Sequence, residues 1–246
     1  MAVLKVDNVT MRATTGIVEI LKNLNFAVEA GDFIALVGPL GAGKTSLLRV
    51  LNRLAEVSSG TIELEGQDIR QLPVVSLRRQ VALVHQESRL LGMSVREALA
   101  YPLRLQKLAP TAVTAAVAQG IEQLNVPTDW LDRTSVNLSF AQRQQVAIAR
   151  TLIAQPKVLL LDEPTSSQDV GYSEFLLTHL ANLARQGQIT IIMANHQLEL
   201  AARYTNRLLH LSDGQLIADM PANQVDWAQI HRDLVAAKQQ AEAEWL

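Results

Sequence analysis

The chain has 246 residues, 48% hydrophobic and 19% charged, which suits one large domain with a substantial core and excludes a disordered chain. Its 22 basic and 24 acidic residues are interspersed and leave a formal net charge of −2, without the electrostatic footprint of a dedicated nucleic-acid binder. There is no cysteine, which excludes disulfides and thiolate metal sites and is compatible with a reducing compartment.

Residues 1–7 carry charges inside an apolar run and lack the organisation of a signal peptide. No stretch approaches the roughly 18 to 20 apolar residues of a membrane span, so action at a membrane requires another chain to cross it. Residues 4–9 alternate, and 17–21 and 24–28 follow with turn-prone residues between them, which predicts short antiparallel strands. Gly31-Asp32 turns into a buried strand over 33–37. The loop Gly38-Pro39-Leu40-Gly41-Ala42-Gly43-Lys44-Thr45 comes next, and a helix is predicted over 46–54. Residues 61–64 and 67–69 read as a hairpin across Glu65-Gly66, and 81–84 as a short buried strand ending at His85-Gln86.

From about 87 to 145, Ala/Leu-rich segments with helical spacing predict helices over 95–105, 112–124 and from 141 onward, read as a helical insertion. Strand pattern returns at 158–161 and 189–193, with a helix over 172–185 between them. That is βαβ spacing, which implies a parallel sheet with right-handed crossovers. Residues 208–211 and 215–218 form a hairpin across Asp213-Gly214. In the tail, 221–246, Val225, Trp227, Ile230 and Leu234 recur at two- to four-residue spacing. An amphipathic helix lying on the core explains them better than a partner-binding helix.

The loop has the form G-x-x-x-x-G-K-[ST] between a strand and a helix, the context a phosphate-binding loop requires. Its glycines let backbone N–H groups turn inward on phosphates, and the helix that follows adds its positive dipole end. Lys44 is a mobile charge for the β- and γ-phosphates, and Thr45 the expected Mg²⁺ ligand. The apolar strand over 158–161 ends in Asp162 and Glu163, at the kind of strand end where an open α/β sheet forms its ligand crevice. Asp162 suits an electrostatic hold on Mg²⁺ and its waters, and Glu163 can orient or deprotonate an attacking water.

With these residues in view, the chain resembles the nucleotide-binding subunit of an ABC transporter over about residues 3–220. Gln86 matches the Q-loop glutamine, which touches the metal and the attacking water. Asn137-Leu138-Ser139-Phe140-Ala141-Gln142 sits where the signature sits, Asp162 and Glu163 match the Walker B aspartate and catalytic glutamate, and Ser166-Ser167-Gln168-Asp169 matches the D-loop. His196, after Ala194-Asn195, matches the switch histidine. For His85, His179, His210 and His231 an ordinary core or surface role is retained.

The resemblance implies an α/β P-loop NTPase fold with a RecA-like core, a mixed sheet, an N-terminal antiparallel β part and an inserted α-helical subdomain. The implied division is 1–86 and 146–220 for the core, 87–145 for the helical subdomain and 221–246 for a C-terminal helical extension. It further implies an Mg²⁺-dependent ATPase that powers translocation, with ATP contacts at residues 38–46 including Ser46, and at Ser139, Gln142 and Asp169. Catalytic roles fall to Glu163, His196, Gln86 and Lys44, and metal contacts to Thr45, Gln86 and Asp162. The implied partners are membrane-spanning permease subunits on separate chains and a second nucleotide-binding subunit, with the protein peripheral on the cytoplasmic face of the membrane and no nucleic acid bound. The stretch after Gln86, with Arg89, Leu90, Leu91 and Tyr101, is the expected permease groove, although core packing explains its apolar residues equally well. The alternative is a soluble ABC ATPase acting on nucleic acid or the ribosome.

Two departures stand out. The family signature is usually Leu-Ser-Gly-Gly-Gln and closes on the nucleotide of the other subunit, and here Phe140 and Ala141 replace its glycines. A phenylalanine cannot adopt glycine-only backbone angles cheaply, so a weakened closure is expected. The family also places an aromatic ring near residues 11–13 to stack on adenine. Here Arg12 is the available stacking group, or else an ordinary exposed arginine.

Overall fold

The computed structural model describes residues 2–13, 16 and 18–243, without the side chains of 240–243. Met1, residue 17 of the predicted 17–21 strand and residues 244–246 of the predicted tail lie outside the described residues. In chain order the elements are β1 (Ala2–Arg12), β2 (Glu19–Glu29), β3 (Phe33–Val37), α1 (Lys44–Leu51), β4 (Ser59–Leu64), β5 (Gln67–Asp68), α2 (Val74–Gln80) and β6 (Val81–Val84). They continue with α3 (Val95–Leu105), α4 (Pro110–Gln123), α5 (Phe140–Ile153), β7 (Val158–Asp162), α6 (Val170–Arg185), β8 (Thr190–Ala194), α7 (Leu198–Tyr204), β9 (Arg207–Ser212), β10 (Gln215–Pro221) and α8 (Trp227–Ala243).

β1 and β2 alternate in burial and pair in an antiparallel sheet ordered β2-β1-β4-β5, with one face of each strand turned to the core. The break expected between residues 21 and 24 is a bulge inside one continuous strand. Asn23 takes φ 51° in β2 and Asn8 the same φ in β1, and the pairing register shifts between Val6 and Val9 and between Val9 and Met11. Asparagine enters the left-handed region at low cost, so a turn-prone residue bends the strand without ending it.

The second sheet has the order β10-β9-β3-β8-β7-β6, parallel from β9 to β6, with β10 returning antiparallel across Asp213 (φ 47°) and Gly214 (φ 77°). That pair of positive φ values is what the Asp-Gly signal predicts. Helices cover both faces, so β3, β7 and β8 are buried at every residue, as their unbroken apolar runs require.

The helix predicted over 95–105 matches α3, started by a capping box between Ser94 and Glu97. α1 begins two residues earlier than expected and ends at Leu51, where Arg53 (φ 53°) turns the chain away. α2 and α7 escape periodicity because each has seven residues and buries one or two of them. Leu90 is fully buried among α3, α4 and α5, which settles its alternatives in favour of the core. α5 serves two layers: Val146, Ala149 and Ile153 pack among the helices, and Ala147 and Ile148 pack under the parallel sheet. A division after residue 145 therefore passes through one continuous helix. Val225, Trp227, Ile230 and Leu234 pack on Ala35, Val37, Leu198, Ala201 and Leu208, which seats α8 on the core as its spacing predicts.

Candidate active site

The phosphate-loop residues follow β3, at the centre of the parallel sheet. Gly38 has φ 156°, and a Cβ there would lie 2.2 Å from the Leu211 carbonyl oxygen. Gly43 precedes α1 at φ 98°, where a Cβ would meet Leu21 Cδ2 at 2.9 Å and the Ile20 oxygen at 3.0 Å. Both positions demand glycine for conformation and for space. No side chain among the described residues caps α1, so its first-turn N–H groups remain as donors for an anion. Lys44 is buried, and its ammonium donates to the carbonyls of Gly38 at 2.7 Å and Pro39 at 2.9 Å. Burial lowers its pKa, opposed by the negative charges of Glu163 and Asp162. Leu40 at the loop tip is 93% exposed, and Ala42 is buried.

Asp162 ends β7, and its Oδ1 accepts from the Thr45 hydroxyl at 3.2 Å. Glu163 then turns back at φ 51°, a costly conformation for a residue with a Cβ. Its N–H donates to the Ala194 carbonyl at 3.0 Å, which ties it to the end of β8. Its carboxylate lies between two groups from other strand ends. Gln86 Nε2, after β6, donates to Oε2 at 3.1 Å, and His196 Nε2, after β8, lies 2.9 Å from Oε1. Lys44, Thr45, Asp162, Glu163, Gln86 and His196 thus come from the C-terminal ends of four adjacent strands, where an open α/β sheet binds its ligand.

The remaining sequence-predicted residues lie around this centre in separate arrangements. Ser139 caps α5: its Oγ accepts from the Gln142 N–H at 3.2 Å, and Gln142 Oε1 accepts from the Ser139 N–H at 2.9 Å. Ser139 and Gln142, the two polar residues that match the signature, are therefore engaged in a capping box. Phe140 is 36% exposed, with the Arg143 guanidinium 5.9 Å from its ring centre. Asp169 caps α6 by accepting from the Tyr172 N–H at 2.9 Å. Arg12 pairs with Glu19 at 3.1 Å across β1 and β2.

Sequence reasoning missed a group of buried amides and hydroxyls beside Glu163. Gln144 is fully buried, and Thr165 donates to Gln197 Oε1 at 2.6 Å while accepting from Asn195 Nδ2 at 3.2 Å. The available signal for Gln144 was a polar residue within the buried stripe of α5, which requires hydrogen-bond partners. Next to Thr45 and Asp162 opens a cleft of about 650 Å³ whose walls include Arg49, His85, Gln86, Arg89, Leu91 and Arg150. Burial and then Arg49 push the His85 pKa down, against an opposing effect from Asp162. Among the described residues no group of three or more His, Cys, Asp or Glu could hold a metal by itself.

Such a centre can cradle a polyphosphate and present a carboxylate to a water beside it. A family model described as ABC transporter matches residues 21–166. The chain is 31% identical over 234 residues to the phosphonates import ATP-binding protein PhnC 2 of Oceanobacillus iheyensis, covering 91% of this chain and 92% of that protein. It is 37% identical over 217 residues to the spermidine/putrescine import ATP-binding protein PotA of Chromobacterium violaceum, covering 88% of this chain but 59% of that protein, so it spans less than two thirds of this longer relative. Among solved structures, cbiO1 from Clostridium perfringens, part of the ABC transporter complex cbiONQ, is similar with a TM-score of 0.80 at 27% identity over 96% of this chain and 94% of that one. This chain belongs to the ABC transporter family, as an ATP-binding and ATP-hydrolysing cassette.

Proposed function

We propose that this cassette powers import through separate membrane-spanning permease chains, working as a peripheral subunit on the cytoplasmic face. The observation that carries the catalytic part is Glu163, held between Gln86 and His196 one residue after the Asp162–Thr45 pair. Import is supported by the names of the relatives at 31% and 37% identity, and these also favour transport over action on nucleic acid or the ribosome. Among the described residues no helix is long and apolar enough to cross a membrane, consistent with a permease on another chain. The cleft beside Gln86, with Leu91 68% exposed on its wall, is the proposed docking groove. The proposed division keeps a phosphate-loop core, a helical part after Gln86 and a helical extension after 220, with α5 shared between the first two.

In this reading the backbone of residues 38–46, Ser46 included, and the Lys44 ammonium bind the phosphates. Thr45 and Asp162, with the amide oxygen of Gln86, fit Mg²⁺, a hard cation that takes few protein oxygens and completes its shell with water and phosphate. Bound there, Mg²⁺ would neutralise charge on the β- and γ-oxygens. Glu163 accepts a proton from the attacking water as the water oxygen bonds the γ-phosphorus and the bond to the ADP oxygen breaks. His196 donates to the γ-phosphate. Arg12 stacks on the base only after leaving Glu19.

Ser139, Gln142 and Asp169 act in this scheme across a dimer, on the nucleotide of a second cassette. The exposure of Leu40 (93%) within the phosphate loop, and of Val136 (90%) and Val170 (76%) beside site motifs, supports a covering subunit. Phe140 and Ala141 open α5 without the left-handed angles that only glycine takes cheaply, so the backbone-strain reason for a weakened closure falls away, and in this reading the bulk of Phe140 is what weakens the degenerate signature. Phe140→Gly/Ala141→Gly should raise steady-state ATP turnover by about tenfold, or about 1.4 kcal/mol of barrier. An unchanged rate of phosphate release would count against an impaired closure. For the transport reading, affinity purification from native membranes should recover a membrane-spanning chain, and recovery of ribosomal proteins or RNA in its place would overturn it.

A further inference from the structure

We infer that Gln144 is a positioning residue for the hydrolytic carboxylate, held in place by Gln168, so that the start of α5 and Glu163 are set by one amide network. The inference rests on the proposed role of Glu163. Gln144 is fully buried, and its amide is satisfied on both sides. Its Nε2 donates to the Glu163 carbonyl oxygen at 3.2 Å, and its Oε1 accepts from Ser167 Oγ at 2.8 Å and Gln168 Nε2 at 3.3 Å. The opposite amide orientation would set oxygen against oxygen at Glu163, so the partners fix it.

Gln168 extends the network. Its Nε2 also donates to the Ala141 carbonyl at 3.1 Å, inside the altered signature, and its Oε1 accepts from Gln145 Nε2 at 2.8 Å. Glu163 needs such support because φ 51° is disfavoured for it and persists only where surrounding contacts over-determine the backbone. Its N–H is tied to Ala194, and its carbonyl takes donors from Gln144 and from Ser166 Oγ at 3.0 Å. A small rotation there would swing the carboxylate off the water it must orient, and misplacements of about 1 Å cost rate rather than binding.

Gln144→Met conserves volume and removes the hydrogen bonds, and Gln168→Leu cuts the network at a half-buried position with little risk to folding. ATP turnover (kcat) should fall about tenfold for the first and about threefold to tenfold for the second, with KM for ATP within about twofold. The double variant should be no slower than Gln144→Met alone, because the residues act as a unit. Added to Glu163→Gln, Gln144→Met should leave the residual rate unchanged, which a general loss of structure would not do. An undiminished loss in that background, a parallel rise in KM or a parent-like kcat overturns the inference. Should Gln144→Met fail to fold by thermal melting, Gln168→Leu carries the same comparisons. A parent-like rate for Glu163→Gln itself sinks the role of Glu163 and this inference together, whereas slow Glu163→Gln beside fast Gln144→Met and Gln168→Leu sinks the positioning alone.

Discussion

Glu163→Gln should lower ATP turnover by about 100-fold, equivalent to about 2.7 kcal/mol of barrier, the scale expected when a positioned general base is removed. Glutamine has the size of glutamate and leaves the Ala194 and Gln144 contacts of the backbone in place. What it lacks is a second acceptor oxygen. The carboxylate meets Gln86 Nε2 on one side and His196 Nε2 on the other, and an amide accepts from only one of them. Nucleotide binding should persist, since the phosphate contacts lie in the loop and in Lys44. ATP-bound dimer should therefore accumulate with Mg²⁺, readable by size-exclusion chromatography beside a phosphate-release assay. A variant that turns over ATP at the parent rate would remove Glu163 from the chemistry.

Lys44→Met should weaken ATP binding by about 30-fold, or about 2 kcal/mol, the size of one hydrogen bond to a charged group. Lys44 donates to the Gly38 and Pro39 carbonyls of its own loop, which holds the charge that attracts phosphate within the cradle. Methionine fills most of that space without burying a cation. Because burial already opposes the charge on Lys44, folding stability should change by about 1 kcal/mol or less. Titration with a fluorescent ATP analogue measures the first effect and thermal melting the second. Parent-like affinity would show that the loop binds nucleotide without Lys44.

The two expectations differ in how far they were visible beforehand. Lys44 and Thr45 were legible because a phosphate loop is a local device: a few consecutive glycines, a lysine and a helix start make the cradle within one turn of chain. The parallel strands were legible for the same kind of reason, since burial on both faces writes an unbroken apolar run. Asn23 misled because a residue that favours turns can also make a bulge, and only the antiparallel partner strand distinguishes the two. α7 stayed hidden because its Leu198 and Ala201 are too few to show a period.

By itself, then, the sequence determined the kind of molecule this is: a phosphate loop on a parallel sheet, with carboxylates, an amide and an imidazole waiting at strand ends. Tertiary structure alone decided how those groups meet. It brought Gln86 and His196 to the two oxygens of one carboxylate from positions 77 residues before and 33 after it. It also tied the Glu163 backbone to the start of α5 through Gln144, and left Ser139 and Gln142 bonded to each other. The physical reason is range. Backbone turns and apolar periods act between near neighbours in the chain, whereas a side-chain hydrogen bond forms only after the order of strands in the sheet has set which distant residues stand side by side.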